Sequence, residues 1–210
     1  MARNKGTTAS GRPREFDTEK ALRHAMQVFW RKGYIGASLS DLTEAMGINR
    51  PSLYAAFGNK EELFRKVLAL YFKGPSAYAH ESLQRPTARA VVEHLLHGAI
   101  NMLTGPKSPS TCMWVNCALS SGSGSLRGEF AAQRTEGHEL LRRRFQRAID
   151  EGDLPITADA QELAHLVLTI NYGMTVQAST GATRKDLERI ATAVLREWPI
   201  TKGCSSSNFA

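Results

Sequence analysis

The chain is predicted to be all-α, and two observations carry that prediction. Its apolar residues recur at intervals of three and four over long windows, which is the period of one buried helix face. Glycines, prolines and Ser/Thr/Asn/Asp caps punctuate those windows, and neither a convincing strand nor a fixed-period repeat is visible among them. With 210 residues and a hydrophobic fraction of 42%, the chain has ample apolar material for one large domain or two modest ones.

Taken in order, residues 1–16 (MARNKGTTASGRPREF) read as a flexible basic arm without periodicity. Asp17 or Thr18 can cap the first helix, with Glu19 in its first turn, where a carboxylate complements the free amides. Ala21, Leu22, Ala25, Met26, Val28, Phe29 and Trp30 form its buried face, and Gly33 ends it. Ser38 caps a second helix while Asp41 reaches back to an exposed amide, a near relative of the capping box. That helix presents Leu39, Leu42, Ala45 and Met46 before Gly47 stops it. Asn49 caps a third helix with Pro51 in its first turn, where a missing N–H costs nothing; Leu53, Tyr54 and Phe57 follow, and Gly58 closes it. Asn59 caps a fourth helix from Lys60 to about Lys73.

Gly74-Pro75 marks the expected boundary between residues 17–73 and a body at 74–200. Further helices are expected at about 76–84, 87–104, 110–120, 125–151, 158–180 and 184–198, separated by Pro/Gly breaks and the Gly/Ser run 121–125. Residues 201–210 are expected to be a disordered tail.

Charge is distributed unevenly. Residues 1–73 hold thirteen Lys/Arg against seven Asp/Glu, whereas residues 74–210 hold fourteen against thirteen. Nearly all the net charge of +7 therefore sits in the first third, as in a polyanion-binding module attached to a neutral body. Three cysteines in a chain this long suggest no disulfide framework. No apolar run is long enough to span a membrane, and the basic start leads into no signal-peptide core, so a cytoplasmic, reduced protein is expected. An enzyme is not expected: there is no glycine-rich phosphate loop, no HExxH and no nucleophile elbow.

The segment Ser38–Phe57 reads as two short helices joined at Gly47, held at a steep angle by Leu42, Met46, Ile48 and Leu53. Its second helix is short, polar and striped on one side only, which suits docking into a major groove about 12 Å wide. Arg50 and Asn49 can bond to base edges, and Ser52 to bases or phosphate. Ser38, Tyr54 and Lys60 sit where hydroxyls, a helix N-terminus and a cation would grip the backbone. Arg12 and Arg14 of the arm are candidates for an adjacent minor groove.

These residues resemble the TetR family of bacterial transcriptional regulators. The matching set is Phe29, Gly33-Tyr34, Ser38-Leu39, Asp41-Leu42, Ala45-Met46-Gly47-Ile48, Ser52-Leu53-Tyr54, Phe57 and Lys60-Glu61-Glu62-Leu63-Phe64, within residues 15–73. Ala37 stands where that family commonly has Thr, and Thr43 where a small Ala usually packs. The resemblance implies a homodimer on a palindromic double-stranded operator, acting as a repressor released by a small-molecule effector. It further implies DNA contacts at Ser38, Arg50, Ser52, Tyr54 and Lys60, and a dimer interface from the last two helices.

Likeness is weaker beyond residue 74, where the sequence around Thr111 loosely resembles one branch. A dimer face is expected from Leu163, Leu166, Val167, Ile170, Gly173 and Met174, then Leu187, Ile190, Val194 and Leu195. Candidates for an effector pocket are Phe72, Tyr78, Leu95, Met102, Met113, Trp114, Cys117 and Tyr172, each equally suited to core packing. Cys112 and Cys117 lie five apart and make no CxxC pair; His94 and His97, with Glu93, could share a face. A metal- or electrophile-responsive regulator using Cys112 and Cys117, or a helical protein-binding adaptor, are the alternatives. No metal and no cofactor are expected. The run Arg142-Arg143-Arg144 with Arg147 reads as a solvated, salt-bridged face.

Overall fold

The computed structural model describes residues 16–106, 108–120 and 126–199. The arm with Arg12 and Arg14, and the tail 201–210, lie outside the described residues. Among those described there are ten helices and no strand. They are α1 (Thr18–Gly36), α2 (Leu39–Met46), α3 (Arg50–Phe57), α4 (Lys60–Lys73), α5 (Ala77–Ser82), α6 (Ala88–Thr104), α7 (Met113–Ser120), α8 (Leu126–Asp150), α9 (Ala160–Ser179) and α10 (Arg184–Arg196).

The caps form as their chemistry dictates. Asp17 accepts from the Lys20 amide at 2.9 Å, and Asn59 and Glu62 close a full capping box on α4. Gly47 takes the left-handed conformation (φ 68°, ψ 30°) that ends α2, a geometry costly for any residue with a Cβ. Regular helical backbone in α1 stops at Gly33 (φ 68°, ψ 176°), and one further turn runs on to Gly36.

Two apolar cores result. The body core gathers α6, the second half of α8, α9 and α10 around Leu96, Ile100, Phe145, Val167, Met174 and Leu187. The head core gathers Phe29, Leu42, Leu53, Phe57, Phe64 and Tyr71 of α1–α4, all but fully buried. Each such side chain contributes roughly 1.5–3 kcal/mol by leaving water. The head core does not stop at Gly74: Met113 and Cys117 of α7 and Leu126 and Phe130 of α8 complete it.

That docking is polar as well as apolar. Trp30 Nε1 donates to the Thr111 carbonyl at 2.6 Å, and Asn116 Nδ2 donates to the Trp30 carbonyl at 2.9 Å. Carbonyls near a helix terminus lack intrahelical partners, and α7 supplies them here. Gly33 has no Cβ because α7 occupies the space: one built there would lie 3.0 Å from Ser120 Cβ and closer still to its Oγ. Arg65 of α4 adds a fork onto Glu129 of α8, with Nε 3.1 Å from both carboxylate oxygens.

The basic run on α8 departs in part from its expected solvated face. Arg142 and Arg143 share Glu139, and Arg147 pairs with Glu151. Arg144 instead lies inside, 5% exposed, donating to the carbonyls of Arg85 and Pro86 at 2.8 and 3.0 Å. The reason is helical phase: residue 144 follows Leu141 and precedes Phe145 and Ala148, all turned into the body core.

Candidate nucleic-acid interface

The head exposes one polar edge, built by α2 and the start of α3. Ser38 caps α2, accepting from the Asp41 amide at 3.0 Å while the Asp41 carboxylate accepts from the Ser38 amide at 3.0 Å. Lys32 of α1 donates to the same carboxylate at 2.6 Å. The lysine first, and the Ser38 groups with it, hold the Asp41 carboxyl down at about 2. The entry of α2 is therefore tied to α1, which fixes the angle at which α3 leaves.

On α3, Asn49 is the N-cap, its Oδ1 accepting from the Ser52 amide at 2.8 Å. One lone pair of its acceptor is given to the backbone, so a paired donor-and-acceptor grip on adenine would compete with the cap. Arg50 is exposed at the first helical position, and its Nη2 donates to Ser40 Oγ at 3.0 Å. Tyr54 is 49% exposed and Ser52 half-buried, while Leu53 and Phe57 on the opposite face are sunk in the head core. Lys60 lies half-buried with Nζ 4.6 Å from the centre of the Tyr34 ring. Partial burial lowers the Lys60 pKa from its ordinary value, while the Tyr34 ring beneath the ammonium attracts its charged form.

Ser38 thus sits at the N-terminal end of α2, Asn49 and Arg50 at the N-terminal end of α3, and Ser52 and Tyr54 farther along α3. Sequence reasoning missed Ser40 and Lys32, whose roles depend on helix crossing and have no local signal. The two departures from the family pattern are accommodated simply. Ala37 is fully buried, and Thr43 returns its hydroxyl to the Leu39 carbonyl at 2.9 Å.

The eight pocket candidates are dispersed. Tyr78 and Met102 line a cleft of about 370 Å³ between the α4–α5 turn and α6, together with His94, His97 and Asn101. Gly98 gives the Tyr78 ring its seat there, since a Cβ would lie 2.7 Å from Tyr78 Cβ. Trp114 and Tyr172 stack on one another at 5.5 Å, and Trp114 Nε1 donates to Gln133. Leu95 packs in the body core, Met113 and Cys117 in the head core, and Phe72 is 37% exposed at the surface of α4. A larger groove, about 420 Å³, runs between α1 and α2 with charged walls from Arg31, Lys32, Asp41 and Glu44.

Cys112 precedes α7 rather than sharing its helix with Cys117, and its Sγ lies 3.2 Å from the Tyr71 hydroxyl. Burial pushes both thiols up, Cys117 to about 12, which disfavours the thiolate form that reacts with electrophiles. His94 contacts the Arg85 guanidinium at 3.1 Å and Glu81 at 3.7 Å. Among the described residues no group of three or more His, Cys, Asp or Glu is arranged to hold a metal ion, and no helix is long and apolar enough to cross a membrane.

Two short helices crossing over a left-handed glycine, the second presenting a polar, cationic N-terminal end, define a helix-turn-helix DNA-binding protein. Comparison with known proteins narrows the class. Residues 21–67 match the family model "Bacterial regulatory proteins, tetR family", and residues 88–194 match "Tetracyclin repressor-like, C-terminal domain". The chain belongs to the TetR family of transcriptional regulators, which are not enzymes. It is 33% identical to the HTH-type transcriptional repressor ComR of Escherichia coli (strain K12), over 90% of this chain and 92% of that protein. Among solved structures it is similar to a cysteine variant of the TetR family transcriptional regulator CifR, in complex with a 26-bp double-strand operator DNA. That likeness is 43% identity and a TM-score of 0.83, covering 90% of this chain and all of CifR. A putative TetR regulator from Rhodococcus sp. RHA1 is 38% identical over 86% of this chain and 98% of its own, with a TM-score of 0.57.

Proposed function

We propose that the protein is a repressor that binds a palindromic operator as a homodimer and is released by a small-molecule effector. One observation carries the DNA half of this reading: α3 keeps Asn49, Arg50 and Tyr54 exposed and Ser52 half-buried while its apolar stripe is consumed by the head core. Ser38, Arg50, Ser52, Tyr54 and Lys60 are the assigned contacts, with Arg50 the reader of a guanine edge and the others grips on the backbone. Asn49 acts mainly through its cap, with its amide N–H free to donate. The operator complex of CifR and the repressor name of ComR point the same way.

The homodimer is supported by a stripe on α9. Leu166 and Val176 are 52% and 51% exposed, with Ile170 half-buried and Gly173 open between them. Half-buried Ile190 and Val194 of α10 extend the same apolar surface. Val167, Met174, Leu187 and Leu195 are consumed by the body core and leave that face to the others. Two copies joined there would present two reading helices to half-sites about 34 Å apart. The effector is assigned to the cleft under Tyr78 and Met102, which opens beside the end of α4, the helix that joins head to body. An occupant that shifts α4 would disturb the spacing of the two heads.

Fluorescence anisotropy on duplexes selected from a random library tests the reading. Arg50→Ala is expected to cost about 1–3 kcal/mol and to relax preference at one base. Lys60→Ala is expected to weaken all sequences alike and to flatten the salt slope by about one unit. Parent-like binding by both variants would mean that α3 is not the reading helix.

A further inference from the structure

We propose that Ser40 is a positioning residue for DNA reading, its hydroxyl on α2 aiming the Arg50 guanidinium on α3 at the base edge. The inference rests on Arg50 being the base reader. The two residues lie ten apart in sequence on different helices, and the crossing set at Gly47 brings Arg50 Nη2 to 3.0 Å from Ser40 Oγ.

The partner is chemically apt. Among the described residues no carboxylate pairs with Arg50, so a neutral hydroxyl holds it and its full charge stays available to DNA. An arginine carries five N–H donors, and this contact uses one, which leaves a two-donor fork for O6 and N7 of guanine. An exposed arginine surrenders much rotamer freedom when it docks. A side chain already tethered surrenders less, and the saving applies only where the aimed fork meets its base.

The aim matters more in this head than its composition suggests. Asn49 accepts from the Ser52 amide through its carbonyl oxygen, and a grip on adenine would compete with that cap. Arg50 is therefore the residue at the start of α3 with a free bidentate fork, and discrimination is concentrated on it. The platform beneath Ser40 is rigid: α2 begins with the Ser38–Asp41 box, and Lys32 of α1 clamps Asp41.

The test uses the full chain, with parent, Ser40→Ala, Ser40→Thr and Arg50→Ala each titrated on a duplex selected from a random library. Single-base variants of that duplex are titrated beside it. Arg50→Ala first identifies the base pair that Arg50 reads. At that pair Ser40→Ala is expected to lose roughly 3- to 10-fold in discrimination, with other positions and the salt slope unchanged. Ser40→Thr, which keeps the hydroxyl, is expected to restore discrimination, and thermal melting should not separate the variants. Parent-like discrimination in Ser40→Ala overturns the proposal. So does a uniform loss on every sequence, which would mark Ser40 as a neutral phosphate contact. Should Arg50→Ala discriminate like the parent, the assignment of Arg50 fails and takes Ser40 with it, a result distinct from failure of the tether alone.

Discussion

Gly33→Ala isolates the junction between head and body. The backbone at Gly33, φ 68° and ψ 176°, falls in a region open essentially to glycine, and a side chain there costs about 1–3 kcal/mol. The added methyl also lands 3.0 Å from Ser120 Cβ and nearer its Oγ, so α1 and α7 must part by a few tenths of an ångström. Overpacking of this kind costs about 1–3 kcal/mol. Together the change should remove about 2–6 kcal/mol. At about 2–4 °C per kcal/mol for a chain of this size, the midpoint should fall by roughly 4–24 °C in a thermal melt. Adding Ser120→Gly should return the packing part and leave the backbone part, so the double variant should melt between Gly33→Ala and the Ser120→Gly single variant. A Gly33→Ala protein that melts within about 1 °C of the parent would refute the argument that this glycine is demanded by both backbone and space.

Two titratable groups give further expectations. His138 of α8 and His165 of α9 pack with their rings tilted at 45° and their centroids 3.7 Å apart. Desolvation chiefly, then the charges of His165, Arg134 and Arg142 against the opposing Glu139, hold His138 below its ordinary 6.5. The unfolded chain thus binds this proton more readily, so the contribution to stability is complete above about 6.5 and is lost as pH falls through the folded value. His138→Gln should flatten that part of the stability curve, and equal slopes for both proteins between about pH 7.5 and 5 would contradict it. For the thiols, Cys117 with its pKa raised to about 12 should resist alkylation in the native chain at about pH 8 and react once the chain is unfolded. Mass-spectrometric mapping separates it from Cys112 and Cys204, and rapid native labelling of Cys117 would reopen the electrophile-sensing alternative.

What could be read in advance was what is encoded within one helical turn. Ser38, Asn49 and Asn59 declared the starts of α2, α3 and α4, Gly33 the break in α1 and Gly47 the end of α2, because caps and left-handed turns depend on residues one to four apart. The placement of the candidate contacts followed from that, since Ser38, Asn49 and Arg50 sit at the starts of α2 and α3. What escaped lies far apart in sequence. Trp30 meets Thr111 across 81 residues and Asn116 across 86, so the share of α7 in the head core had no local sign. Arg144 looked like its neighbours in a basic run, and only the packing phase of α8 separates it from them. Ser40 drew no attention because a lone serine on a short helix is unremarked until the crossing angle supplies its partner.

The insertion of α7 beneath α1 also bears on how such a protein can be cut and recombined. A fragment ending at Gly74 would leave the faces of Phe29, Phe64 and Tyr71 bare where Met113, Cys117 and Phe130 now cover them. The reading head is thus not a detachable cassette. Grafting it onto another sensor requires carrying α7 and the first turns of α8 along, or redesigning the floor on which the head stands.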